Sequence, residues 1–194
     1  MSHWPTARPV GHQLRDTVGD QWVRFHSLPE SRRYADNDAD YREILYRHHA
    51  VLRALIDRNP GVSDLGELVV LTSSYSGQGD GPVPERDPGL IAAMPDARYW
   101  CAALRAVDPR TPDEAAVWTH LFVNRVHVDS PALDELLRWV ADGNTLDVII
   151  SDDRFNWLYA PYDGGGDVIA ATPEQRDELR DEFSAWLSPF PSGW

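Results

Sequence analysis

Between Ala39 and Asn59 the chain repeats apolar positions three and four residues apart. Tyr41, Ile44, Leu45, His48, Val51, Leu52, Leu55 and Ile56 fall on one stripe. That period predicts an α-helix with one buried face. Arg42, Glu43, Arg47, Arg53 and Asp57 fall off the stripe, so their side chains are expected in water. Asp36 or Asp38 suits the N-cap, and Asn59-Pro60-Gly61 ends the helix. Just upstream, Trp22–Ser27 alternates with period two, as a strand does. Val23 and Phe25 share one side; Trp22, Arg24 and His26 share the other. Pro29 stops that strand, and Leu28–Asp38 is a charged connection.

Further along, Leu68–Tyr75 reads as a buried strand. Ala97–Val107 and Val117–Val128 read as antiparallel neighbours joined through the Pro-bearing Asp108–Asp113. Ser130 and Pro131 open a helix over Pro131–Ala141, with Leu133, Leu136, Leu137 and Val140 as its stripe. Leu146–Ser151 and Trp157–Ala160 predict a hairpin around the turn Asp152–Asn156. The glycine-rich Pro161–Asp167 follows as a loop, then a short strand over Val168–Ala171. Thr172 and Pro173 start the last helix, with Leu179, Phe183, Trp186 and Leu187 inward. Helices do not separate every pair of strands. The fold class expected is therefore α+β, a mostly antiparallel sheet of about five to seven strands packed by about three main helices. Residues 1–20 are expected as a loose arm, with His12–Val18 turning once or twice, and 21–194 as one domain. The longest loop, Ser76–Pro88, contains Gly77, Gly79 and Gly81 but no P-loop lysine.

Composition narrows the function classes. At 194 residues a single domain buries about 70% of its unfolded surface, so no metal or disulfide is required for a core. The formal charge is −13 and the pI near 4.8. Such a surface repels phosphate backbones, which disfavours nucleic acid; it either favours a basic protein partner or simply keeps the chain in solution. There is one cysteine, Cys101, which fits a reducing cytosol and excludes an intramolecular disulfide. No window is apolar enough to span a bilayer, and no signal peptide is visible, so a cytoplasmic location is expected. All 18 basic residues are Arg, and Asp far outnumbers Glu; coding bias in a GC-rich bacterial genome is the expected cause, with adaptation to salt the alternative.

Four constellations could carry chemistry. His48 and His49 point about 100° apart on a helix, so a satisfied core histidine is the better reading of His48 than a metal ligand. Arg24, His26, Arg32 and Arg33 could form a cationic pocket for a carboxylate or phosphate, or could pair with nearby acids. Asp152, Asp153, Asp163 and Asp167 offer carboxylates in adjacent loops, without the spacing of a calcium hand. Cys101 with His120 or His127 could pair nucleophile and base, but an apolar strand makes a buried inert thiol the expectation. Neither a Gly-x-Ser-x-Gly elbow nor a His-Glu-x-x-His motif occurs.

Two segments carry a resemblance. Arg24-Phe25-His26-Ser27-Leu28-Pro29-Glu30-Ser31-Arg32-Arg33-Tyr34 is one; Leu158 to Ile169, with Tyr162-Asp163-Gly164-Gly165-Gly166-Asp167 at its centre, is the other. With the C-terminal helix ending at Trp186-Leu187-Ser188, they resemble an uncharacterised bacterial family, a domain of unknown function. A more distant relative of that kind carries an Arg in the glycine turn that this chain lacks. The resemblance implies no activity. The candidate binding residues are thus Arg24, His26, Arg32, Arg33, Tyr34, Tyr162, Asp163 and Asp167, with no catalytic residue, metal or cofactor assigned. The expected function is a non-catalytic interaction domain, immunity-like or regulatory, with an acidic surface. The alternative is a small-molecule or metal-dependent enzyme using the Arg24/His26 face or the Asp163/Asp167 loop.

Overall fold

A computed structural model describes residues 19–60, 66–77, 83–104 and 117–188. The expected arm up to residue 18, Gly79 and Gly81, and the Asp108–Asp113 connection lie outside these residues. The strands are β1 (Trp22–His26), β2 (Glu67–Ser76), β3 (Arg98–Leu104), β4 (Trp118–His127), β5 (Ile149–Ser151), β6 (Leu158–Tyr162) and β7 (Gly165–Ile169). The helices are α1 (Asp38–Arg58), α2 (Pro88–Ala93), α3 (Pro131–Ala141) and α4 (Pro173–Glu182). The seven strands form one sheet in the order β1-β7-β6-β5-β2-β4-β3, every pairing antiparallel. With three longer helices packed on it, the chain is α+β, as the periodicities predict.

Strand alternation divides the side chains into two layers. Val23, Phe25, Leu68, Val70, Ile150, Trp157, Tyr159 and Val168 share the main core with Leu52 and Leu55 of α1, Leu133 and Leu136 of α3, and Leu179 of α4. Each large apolar side chain buried there contributes about 1.5–3 kcal/mol. Phe25 meets Phe183 edge-on at 5.5 Å, and Phe183 stacks on Trp186 at 4.6 Å, so the end of α4 closes over β1. Val69, Leu71, Ile149, Leu158, Ala160 and Ile169 form a second cluster from the intervening positions, flanked by Trp22, Val123 and Phe155.

Several local expectations change. The α1 N-cap is Asn37, whose side chain accepts from the N–H groups of Ala39 and Asp40. Arg47, expected in water, is buried: it donates to Glu43 at 2.6 Å and to the His26 carbonyl at 3.1 Å, beneath the Trp186 ring. A charged side chain can lie inside when its donors are matched. The fifth strand is shorter than the sequence suggests, because Asp147 adopts a left-handed backbone with φ 56. The glycine tract is not a loop: Gly165 and Gly166 begin β7. α2 follows the long loop, in a stretch for which the hydrophobic pattern predicts no element, although Asp87-Pro88 repeats the cap-then-proline signature of the later helices. Cys101 is half-buried rather than enclosed, because β3 is an edge strand.

Candidate functional site

The two segments singled out in the sequence lie side by side. β1 pairs with β7 along its full length, and the Ser27 N–H donates to the Gly164 carbonyl at 3.1 Å. Register places Arg24 directly opposite Asp167. The guanidinium donates through Nε at 2.7 Å and Nη2 at 2.8 Å, a two-pronged pair that fixes its plane. Its carbon lies 5.5 Å from the Trp22 ring centre and 4.9 Å from that of Tyr162. Ring faces attract a desolvated cation, so the arginine is held from three sides. Burial opposes its charge, but the hydrogen bond and charge of Asp167 outweigh that and raise its pKa. Burial pushes the Tyr162 hydroxyl up to about 12, against the opposing pull of Arg24, so it stays neutral.

The remaining predicted residues occupy the adjoining connection. Arg33 donates from Nε to Asp163 at 2.8 Å, and the Tyr34 hydroxyl donates to the same carboxylate oxygen at 3.1 Å. Arg32 turns the other way and grips Asp40 of α1 at 2.7 and 3.0 Å. That pairing, helped by the Asp36 N–H, holds the Asp40 carboxyl down to about 2. Burial, then the charge of Arg24 and more weakly that of Arg47, lowers the His26 pKa, although a bond to the Gly164 carbonyl acts oppositely. The cationic pocket therefore resolves into Arg–Asp pairs: the structure joins Arg24, Tyr162 and Asp167 in one unit, Arg33, Tyr34 and Asp163 in a second, and sends Arg32 to a third partner.

The glycines make this arrangement possible. A Cβ on Gly165 would come within 2.0 Å of the Phe25 carbonyl oxygen, and one on Gly166 within 2.3 Å of the Tyr159 hydroxyl. The Tyr159 hydroxyl needs that space to hydrogen-bond His48 Nδ1 inside the core. Burial, then the neighbouring His49, lowers the His48 pKa to about 3, so it is a neutral core histidine. On the opposite side, Glu30 and Ser31 take left-handed backbone angles, φ 58 and 57, which costs strain in residues with a Cβ. The strained turn delivers Arg32 and Arg33 to different carboxylates.

Sequence reasoning missed Asp40 and the His48–Tyr159 bond. Asp40 lay among three acids at a helix start, and only tertiary packing selects one. The acids expected together do not share a partner: Asp152 holds Asn156 through both carboxylate oxygens, while Asp153 is exposed. Among the described residues no group of three or more His, Cys, Asp or Glu side chains is placed to hold a metal.

A family model described as a domain of unknown function, DUF3885, matches residues 10–191. The chain belongs to the DUF3885 family. No curated protein and no solved structure matches the chain. The match takes in both halves of the β1–β7 unit, so this DUF3885 domain includes the whole candidate site. No described helix of the domain is long and apolar enough to cross a membrane.

Proposed function

We infer that this domain is a non-catalytic cytoplasmic interaction module, immunity-like or regulatory, whose acidic surface meets a basic protein. The observation that carries the reading is where the charge is spent. Arg24, Arg32, Arg33, Arg47, Arg53 and Arg58 all bind carboxylates of this same chain. The carboxylates left over set the field: Asp38, Asp57, Asp96, Glu135, Asp153 and Asp181 are exposed and make no ion pair among the described residues. A net charge of −13 displayed in this way steers cationic partners and keeps anionic ones off. The enzyme alternative needs a cation or carboxylate still able to take a ligand, and Arg24, Arg33, Asp163 and Asp167 are already committed to one another.

Affinity capture from the native host, run at low and high salt, tests the reading. It expects a basic protein whose recovery falls steeply with ionic strength. Capture that ignores salt, or a turnover assay that responds to Asp167→Asn with the fold intact, removes its basis.

A further inference from the structure

β3 ends the sheet and pairs with β4 alone. None of its residues is buried. Tyr99 is 44% exposed, Trp100 47% and Leu104 39%, and Val117, just before β4, adds 36%. Soluble proteins ordinarily blunt such an edge with Lys, Pro or an inward charge. β3 reads Arg98-Tyr99-Trp100-Cys101-Ala102-Ala103-Leu104, with Arg98 its one charge and no proline. Its one protective device is the bulge between Tyr99 and Cys101. Past the bulge, Cys101–Leu104 runs in unbroken register with Leu121–Trp118. Among the described residues no strand lies on the outer side of Cys101, Ala102 or Ala103, and their short side chains let another backbone approach.

We propose that β3 accepts an extended segment of a partner protein as an eighth strand, and that this segment alternates apolar side chains with Lys or Arg. The proposal rests on the acidic-surface reading above and names where and how the partner docks. Main-chain hydrogen bonds to Cys101–Ala103 supply the register, and the Tyr99 and Trp100 rings supply apolar contact. The setting decides the charge. The edge itself carries no carboxylate, but Asp96 is exposed two residues before it and the whole chain is at −13. An acidic segment is repelled there, and a second copy of this chain would bring another −13.

The probe is a random peptide pool displayed on phage and selected on the immobilised full chain. Enriched peptides are expected to alternate Val, Ile or aromatic residues with Lys or Arg. Neighbouring strand positions face the paired strand and the open side in turn, so Ala102→Pro and Ala103→Pro differ: one removes an outward N–H, the other breaks the bond to β4. The variant that keeps the wild-type thermal midpoint is the reporter, and it is expected to bind the enriched peptides about tenfold more weakly or worse. Trp100→Ser weakens them too, and decides the matter by the same measure should both proline variants melt early. Tyr46→Ala, an exposed ring on α1, leaves binding unchanged. Peptides without the alternating basic pattern, or undiminished binding to the deciding variant, overturn the proposal. Basic peptides that bind in a salt-dependent way yet ignore β3 overturn the docking edge and leave the acidic-surface reading standing. A pool that yields no basic peptides overturns both.

Discussion

The two ends of the sheet solve the same problem in opposite ways. At the β1 end, charge is drawn inward: Arg24 and Asp167 face each other across two strands, ringed by Trp22 and Tyr162. At the β3 end no residue of the strand makes an ion pair among those described, and the Tyr99 and Trp100 rings are partly exposed. Directional pairs with matched donors define one arrangement and make slippage costly. An edge of Ala and Cys with exposed aromatics and a single charge, Arg98, defines a surface and tolerates an added neighbour. The difference teaches that one edge strand of this sheet is tied down by an ion pair and rings, while the other is left adaptable.

The largest effect is expected where β7 admits no side chain. Gly165→Val drives a Cβ into the Phe25 carbonyl and should cost about 3 kcal/mol or more in chemical denaturation, since the obstacle is backbone. A smaller loss follows Asp167→Asn, which leaves Arg24 half-buried beside a neutral amide, at about 2 kcal/mol. Replacing both, Arg24→Met with Asp167→Leu, should recover most of that loss. Failure to recover would mean the pair does more than neutralise itself.

Acid should then pick out the β1–β7 side. His48 has its folded pKa lowered to about 3 from 6.5, so the unfolded chain binds its proton first. Its contribution is complete above pH 6.5 and is lost as pH falls towards 3, at about 1.4 kcal/mol per pH unit. Unfolding curves across that window should show the slope, and His48→Asn should remove it. Asp40 acts lower: its share is complete above the ordinary carboxylate value of 3.8 and is lost as pH falls through about 2. The smallest effect is expected at the other end, where Trp100→Ser should change stability by less than about 0.5 kcal/mol. A large loss there would show that β3 is part of the core rather than an adaptable edge.

Much of the fold was legible because burial imposes a period. The α1 and α3 stripes and the alternation of β1 follow from which face must leave water, and the structure keeps them. The segments that resist reading obey something other than period. Gly165 and Gly166 look like a loop, since composition cannot reveal that a tyrosine from the adjacent strand needs the space. Arg47 looks solvated, since sequence spacing does not show that the His26 carbonyl lies within its reach. At the candidate site the residues were legible but their partners were not: spacing along the chain gives no hint that Arg24 finds an acid 143 positions away.

That separation also sets an order of events during synthesis. β1 is made early, yet the strand that completes it is β7, the last of the described strands. While the ribosome is still working on the middle of the chain, Val23 and Phe25 have no strand to zip against and no α4 to cover them. Final closure waits for the glycine strand to emerge, as expected when contacts are distant in sequence. A nascent chain arrested before Gly165 should therefore remain open to protease at its β1 end.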